Sequence, residues 1–205
     1  MSDTQTFENG LFIFRRDLRI VDNNCLNLLS TYCKRIYTIF IFTPEQVGSS
    51  NPYKSNASVQ FMIESLEDLQ KEIRTKGGAL LTFYGGNESV IRHCVDAWNI
   101  DMVAFNLDVT PYSRIRDDNI RKLCVNMNIS LLTSHDSYLL EPDQILTSSG
   151  EAYKKFTPYY EKARTKKVAV PRRQAGCTWP VLMLRCRTNL RWRRPWRNSP
   201  SLIPT

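Results

Sequence analysis

Polar side chains follow three predicted strands, where they could form a binding site. They are Arg15, Arg16, Asp17 and Arg19 after the first strand, Thr43, Pro44, Glu45 and Gln46 after the second, and Asn106, Asp108 and Thr110 after the fourth. In open α/β sheets ligands bind outside the carboxyl ends of the strands, so these polar side chains could converge on a binding pocket at one edge of the sheet. The same side chains could instead form a solvated rim, in which the arginines pair with Asp17, Asp22 or Asp108. Both interpretations stay open.

No recognisable catalytic motif accompanies these residues. The sequence has no G-x-G-x-x-G after the first strand, no G-x-x-x-x-G-K-[ST] and no G-x-S-x-G. A standard dinucleotide site, a P-loop and a hydrolase nucleophile elbow are therefore not expected. His93 and His135 have no obvious nucleophile partner in the sequence, and none of the six cysteines forms a C-x-x-C pair. Zinc sites need such cysteine spacing, so we predict no metal site. Without a catalytic motif or a histidine–nucleophile pair, we also predict no catalytic residue.

Five short apolar runs predict the strands that would position the polar side chains. They lie at 11–14, 36–42, 79–84, 102–105 and 129–133. Continuous runs of apolar residues are typical of strands that are covered on both faces. Helical patterns separate the runs, and strand–helix–strand repeats build a parallel sheet. We predict an α/β, doubly wound, Rossmann-like domain of strand order 3-2-1-4-5, with its switch point between the first and fourth strands.

The helices between the strands have recognisable starts, and one has a clear apolar stripe. That stripe consists of Val59, Met62, Leu66, Leu69 and Ile73, which are spaced three and four residues apart. Such spacing predicts a helix with one apolar face. Asp22 or Asn23, Asn87 and Ser113 are the predicted caps of three further helices. Residues 43–56 are predicted to be a polar loop that ends at the first turn of the striped helix.

The chain divides into four predicted parts. Residues 1–9 are a flexible N-terminus, 10–134 the α/β domain, 135–171 an irregular exit segment, and 172–205 a tail rich in Arg, Trp and Pro. The tail holds eight arginines and no Lys, Asp or Glu. Removing those eight from the 28 basic residues leaves 20, which equals the 20 acidic residues. The body is therefore neutral, and the net charge of +8 belongs to the tail.

The basic tail has two interpretations. An arginine arm could contact phosphates while Trp192 and Trp196 stack on nucleic-acid bases. The abrupt change of composition instead favours translation out of frame or a misjoined splice. In both cases prolines and unpaired positive charges oppose a compact core, so we predict a poorly structured tail.

Composition also predicts the compartment. No run of residues approaches the roughly 18 apolar residues that a membrane span requires. Residues 1–10 are polar and acidic, unlike a secretory signal or a transit peptide. We therefore expect an intracellular, soluble protein with reduced cysteines and no membrane partner.

Five segments within residues 11–160 carry short motifs that occur together in one known family. They are Phe14-Arg15-Arg16-Asp17-Leu18-Arg19 with Asp22-Asn23 and Leu26; Phe40-Ile41-Phe42 with Pro44 and Gln46; Asn51-Pro52-Tyr53 with residues 60–69; residues 106–113 with Arg116-Asp117; and Tyr153 with residues 156–160. In this order they resemble the photolyase/cryptochrome family, and most closely its microbial pyrimidine-dimer photolyases.

The resemblance implies an N-terminal α/β domain that holds a light-harvesting antenna chromophore, which is a deazaflavin, a flavin or a folate. In deazaflavin-type members the chromophore lies at the switch-point edge of the sheet. The residues of this chain that it would contact are Phe14, Arg15, Arg16, Asp17, Phe42, Pro44, Met62, Asn106, Asp108 and Thr110. Val109 stands where an aromatic residue is often found. Folate-type binding in the family also needs residues from the helical half of the protein.

In the family, a larger helical domain binds FAD and accepts the flipped pyrimidine dimer. The resemblance stops near Pro171, so no FAD-binding or catalytic residue is carried onto this chain. It therefore implies a truncated photolyase-like protein that is inactive alone in light-driven DNA repair. Alternatively, the chain is one half of a split photolyase, docking onto a separately encoded helical FAD-binding chain and reaching damaged DNA through it. A third possibility is a nucleic-acid-binding module that acts through the arginine tail.

Overall fold

The computed structural model describes residues 7–141, 143–168 and 170–171. Its strands are β1 (Phe7–Phe14), β2 (Cys33–Phe42), β3 (Leu80–Tyr84), β4 (Met102–Asn106) and β5 (Ser130–Ser134). They form one sheet in the order β3-β2-β1-β4-β5, and every neighbouring pair is parallel. The predicted fold class and strand order are confirmed.

The helices cover both faces of the sheet, which explains the uninterrupted apolar runs. They are α1 (Asn24–Tyr32), α2 (Pro44–Val47), α3 (Asn56–Thr75), α4 (Asn87–Trp98), α5 (Pro111–Asn126) and α6 (Phe156–Ala163). Phe12 and Phe14 of β1 pack in one core cluster with apolar residues of α1 and α3. Leu11 and Ile13 of the same strand pack in a second cluster with residues of α4 and α5. Alternate residues of β1 thus belong to opposite faces, as the two-residue period of a strand requires.

The first two strands are longer than predicted, because their early residues are polar or small. β1 begins at Phe7, within the segment predicted to be a flexible N-terminus. Gly10 lets β1 approach α1 closely: a Cβ there would lie 2.9 Å from both Cys33 Sγ and Leu29 Cδ1. The absence of a side chain at Gly10 is therefore a packing requirement, and a glycine in this context does not end the strand.

Of the three predicted helix caps, one agrees with the structure and two differ by a few residues. Asn23 caps α1 and accepts a hydrogen bond from the Leu26 N–H, as predicted. Thr110, not Ser113, caps α5, because Pro111 has the fixed φ that favours the first helical position. Asn87 is the first residue of α4 and does not cap it; Gly86 stands at the cap position. The predicted polar loop at 43–56 contains the short helix α2.

The exit segment is anchored at its start and then becomes exposed. Asp136 forms an ion pair of 2.7 Å with Arg19 and accepts a hydrogen bond from the Asn24 N–H. Further along, α6 buries none of its residues. The predicted poorly structured tail at 172–205 lies outside the described residues. Among the helices that the structure describes, none is long and apolar enough to cross a membrane.

Candidate functional site

A cavity of ≈570 Å³ opens at the carboxyl-terminal edge of the sheet. Seven of the ten candidate residues line it: Phe14, Arg15, Arg16, Asp17, Asn106, Asp108 and Thr110. They come from the loop after β1 and from the end of β4, which are neighbouring strands on either side of the switch point. The volume lies within the roughly 300–1,000 Å³ of small-molecule pockets. The two polar segments that follow β1 and β4 are thus brought together at the predicted position.

A buried polar network joins these two segments. The Asn106 Nδ2 group donates to Asp17 Oδ2 over 2.6 Å and to Asn23 Oδ1 over 2.9 Å. Asn23 Nδ2 donates to the same Asp17 oxygen over 3.0 Å. Asn106 Oδ1 accepts from the Cys25 N–H, and Asp17 Oδ1 accepts from the Arg15 N–H. Asp17 and Asn106 therefore border the cavity, but their hydrogen-bonding groups are used to hold the β1 loop, the start of α1 and the end of β4 together.

Arg15 belongs to a second buried cluster, between β4 and α5. Its Nη1 lies 2.7 Å from Asp117 Oδ1, and its guanidinium stacks 3.7 Å from the centre of the Phe105 ring. Arg116 contacts the same Asp117 oxygen through Nε at 2.9 Å. Burial lowers the pKa of Arg15 to about 10, with a further contribution from the Arg116 charge, while Asp117 opposes the shift. Two guanidinium groups, those of Arg15 and Arg116, therefore share the single carboxylate of Asp117.

Asp108 sits at the rim of the cavity. Arg16 Nε lies 3.4 Å from its Oδ2, and the Arg16 side chain is 76% exposed. Ser113 donates to the same oxygen over 3.0 Å, while Thr110 Oγ1 donates to Ser113 Oγ over 2.8 Å. Burial alone would raise the pKa of Asp108, but hydrogen bonds from Ser113 and the Thr110 backbone, with the Arg16 charge, hold it below its ordinary value. The rim carboxylate is therefore ionised at neutral pH.

The remaining three candidates do not line the cavity. Phe42 is buried in the core cluster that includes Phe40, and Pro44 is the first residue of α2. Met62 lies on α3, and its Sδ accepts a 3.7 Å hydrogen bond from Gln46 Nε2. Since Gln46 is a lining residue, Met62 contacts a lining residue without lining the cavity itself.

Sequence reasoning also missed lining residues that lie in the helices and in the loops of other elements. These are chiefly Asn51, Tyr53, Asn87, Tyr112, Arg116 and Ser137. Asn87 could have been found, because it follows the third strand as Asn106 follows the fourth. Arg116 lies one helical turn after Tyr112, so both project from the start of α5 on one side. The loop between β2 and α3 gave no periodic signal for Tyr53.

The arrangement suits ligand binding rather than group transfer. Neither described histidine lines the cavity, and no cluster of three His, Cys, Asp or Glu in the described part of the chain could hold a metal ion. Burial raises the pKa of Cys25 to about 12, so this thiol near the network stays protonated at neutral pH. Phe14, Phe40, Tyr53 and Tyr112 give the cavity aromatic walls, which suit a flat organic ligand.

Comparison with known families agrees with the fold and extends the resemblance seen in the sequence. A family model described as "DNA photolyase" matches residues 11–175. Cryptochrome-1 of Anopheles gambiae is 30% identical over 152 residues, which cover 70% of this chain and 27% of that protein. A deoxyribodipyrimidine photo-lyase of Synechococcus is 27% identical over 161 residues, covering 78% of this chain and 33% of that one. The chain thus spans about a third of the length of these relatives.

Solved structures give the same result. The photolyase of Sulfolobus tokodaii is 37% identical with a TM-score of 0.72, over 84% of this chain and 38% of that chain. Its crystal structure contains two FAD molecules and is described as implying a novel light-harvesting cofactor. A class III photolyase of Agrobacterium tumefaciens, at 21% identity and a TM-score of 0.74, shares the fold over 85% of this chain and 36% of its own. This chain belongs to the DNA photolyase family and comprises the α/β domain found at the N-terminus of photolyases and cryptochromes.

Proposed function

We propose that this domain binds a planar antenna chromophore of flavin or deazaflavin type in the cavity at the carboxyl-terminal edge of the sheet. The observation that carries the proposal is the ≈570 Å³ cavity at the switch point, bounded by the β1 loop and the end of β4. Open α/β sheets bind ligands at this place, because the loops diverge there and leave a crevice.

The chemistry of the lining favours a flat, weakly charged ring system. Phe14 ends β1 and Phe40 lies near the end of β2, while the lining residues Tyr53 and Tyr112 are half or more exposed. The charged lining groups largely compensate one another, since Arg16 pairs with Asp108 and Arg116 with Asp117. The Sulfolobus tokodaii relative, with its two FAD molecules, supports a flavin in particular. A folate is less suited, because the family's folate sites draw on the helical half of the protein.

A titration tests this proposal directly. We expect the full chain to quench the fluorescence of riboflavin, and of a 5-deazaflavin analogue, with saturation at one ligand per chain. Ser137→Trp adds bulk at an exposed lining residue and should weaken binding at least tenfold. Ser148→Trp makes the same change at an exposed serine outside the cavity and should leave binding unchanged. No saturable quenching by either ligand would refute the proposal, as would equal binding by the two variants.

We further propose that light-driven repair of pyrimidine dimers needs a helical FAD-binding part, on the same chain or a separate one, which also contacts the damaged DNA. The chain matches only 38% of the length of the Sulfolobus tokodaii relative, whose structure holds two FAD molecules. Purified chain, given FAD and ultraviolet-irradiated DNA, should therefore show no light-dependent repair. Clear repair by the chain alone would contradict this part of the proposal.

Exposed apolar side chains near the end of the described residues support docking of such a helical part. Leu139 is 76% exposed and Phe156 is 75% exposed, and the Phe156 ring stacks on that of Tyr160 at 5.7 Å. Phe156 and the 49% exposed Tyr160 form one exposed aromatic pair, and contiguous apolar surface of this kind marks interaction sites. This segment follows the α/β domain, where the family's helical domain would begin.

Co-expression tests the docking. A helical FAD-binding domain from a photolyase should co-purify with the wild-type chain and less well with Leu139→Ser or Phe156→Ser. Phe61→Ser is the matched control, since Phe61 is 72% exposed but lies on α3. Equal recovery with all four chains would show that this segment is not the docking surface.

A further inference from the structure

Most polar groups that line the cavity are already engaged within the protein. The lining side chains that have at least one partner are Arg15, Arg16, Asp17, Asn51, Asn106, Asp108, Thr110, Ser113 and Arg116. Arg15 and Arg116 each keep one buried Nη2 without a partner, and such a group can only donate. A group that already has its hydrogen bonds gains little by contacting a ligand, because one bond is exchanged for another. Recognition of a ligand therefore falls to the lining groups that remain unpaired.

Asn87 is the exception among the amides. It is the first residue of α4, directly after β3, and its half-buried side chain lines the cavity. No described residue donates to or accepts from its side-chain amide. The other lining amides differ: Asn51 uses both of its polar atoms, and Gln46 gives its Nε2 to Met62 Sδ. Asn87 thus offers a free donor and a free acceptor side by side.

A free carboxamide matches one kind of heterocycle edge. It can donate to a carbonyl oxygen and, at the same time, accept from an adjacent N–H. The pyrimidinedione ring of flavins and deazaflavins presents this pair, because its N3–H lies between two carbonyl groups. A pterin ring presents an amino group beside an N–H, so two donors are adjacent, and a carboxylate is the better partner for that edge. The amide at position 87 therefore discriminates between these classes.

We propose that Asn87 is a specificity-determining residue, which recognises the pyrimidinedione edge of the bound chromophore. Its amide donates to a ring carbonyl oxygen and accepts from the adjacent N3–H. This inference rests on the proposed function, since it concerns the ligand of the same cavity. Asn87 does not hold the fold together, because its side chain has no partner among the described residues. Its effect should therefore appear in ligand affinity and not in stability.

The test compares two ligands and two alanine variants. Riboflavin carries the N3–H, whereas 3-methylriboflavin has a methyl group in its place and cannot donate there. The wild-type chain should bind riboflavin about five- to tenfold more tightly than 3-methylriboflavin, the effect of a net hydrogen bond. Asn87→Ala should bind both ligands with similar affinity. Asn56→Ala is the matched control, because Asn56 is also the first residue of a helix, α3, but lies outside the cavity.

A second variant separates the two hydrogen bonds. Asn87→Asp keeps an acceptor for the N3–H but loses the donor and places a negative charge beside a carbonyl oxygen. It should bind riboflavin more weakly than Asn87→Ala does. An acidic residue in the first turn suits a helix, so this variant should fold normally by circular dichroism.

The possible outcomes distinguish this inference from the proposed function. If the wild type binds both flavins equally, or if Asn87→Ala discriminates between them as the wild type does, then Asn87 does not read this edge, although the cavity still binds flavin. If Asn87→Asp binds riboflavin as tightly as the wild type, the amide donor has no role and the inference is wrong. If none of the chains binds either flavin, both the inference and the proposed function are wrong.

Discussion

Asn106, at the end of β4, donates a 2.6 Å hydrogen bond to Asp17, which lies 89 residues earlier in the loop after β1. Both residues are buried. This contact fixes the two edges of the switch point relative to one another and thereby shapes the cavity. Asp17 and Asn106 therefore stabilise the fold in addition to lining the cavity.

Loss of this contact should therefore destabilise the domain. Asn106→Leu removes the donors to Asp17 and Asn23 and leaves a buried carboxylate with fewer partners. We expect the free energy of unfolding in urea to fall by about 2–3 kcal/mol. Asn119→Leu, at an exposed position of α5, should change it by less than about 0.5 kcal/mol. Similar values for the two variants would show that the network contributes no stability.

The cluster of Arg15, Arg116 and Asp117 offers a test with adjacent residues. Asp117→Asn leaves two buried guanidinium groups without a counter-charge, and we expect a loss of about 3 kcal/mol in urea unfolding. Asp118→Asn alters a neighbouring carboxylate that is 54% exposed and pairs with Lys122 at the surface. Such a pair contributes about 0–1 kcal/mol. If Asp118→Asn were the more damaging change, the buried cluster would not have the role assigned to it.

Gly10 provides a steric prediction. Ala at this position would place its Cβ 2.9 Å from Cys33 Sγ and Leu29 Cδ1, so β1 and α1 must separate. Overpacking of this kind costs about 1–3 kcal/mol in urea unfolding. A Cβ at Gly86 would lie 3.7 Å from its nearest neighbour, so Gly86→Ala should be close to neutral in the same measurement. Equal stability of the two variants would show that β1 and α1 are not closely packed.

These elements show what the sequence could predict and why. The apolar runs and the helical patterns between them predicted the parallel sheet, and a common doubly wound topology with its switch point between the first and fourth strands supplied the strand order. The rule that ligands bind at the carboxyl ends of parallel strands named nine lining residues, because it depends only on where strands stop. It could not predict that Arg15 pairs with Asp117, which depends on the tertiary packing of α5. Asn87 was missed because the rule was applied to three strand ends and not to β3.

The buried thiols predict how stability depends on pH. Burial raises the pKa of Cys25 and of Cys33 to about 12, and that of Cys124 to about 11. Above about pH 8.5, cysteines ionise in the unfolded chain but stay protonated in the fold. The unfolded state then binds fewer protons, so stability falls as the pH rises. The urea midpoint should decrease between pH 8 and 10.5, and Cys25→Ser should reduce the slope. A midpoint that rises over this range would contradict the assignment.

Labelling provides a separate check on the same thiols. At pH 8, iodoacetamide should leave Cys25, Cys33, Cys94 and Cys124 unmodified in the folded chain, because all four are buried. About 6 M guanidinium chloride unfolds all but hyperstable domains, so all four cysteines should react in it. Peptide mass mapping separates the sites, and rapid labelling of any of these four in the folded chain would show that its element is not packed as described.

The central claim is that the cavity at the switch point holds a flat, tricyclic chromophore. The most direct measurement is a crystal structure of the full chain grown with saturating riboflavin. We predict density for the isoalloxazine ring inside the cavity bounded by Arg16, Tyr53 and Tyr112. Density for the ring at another surface, with this cavity empty, would contradict the claim.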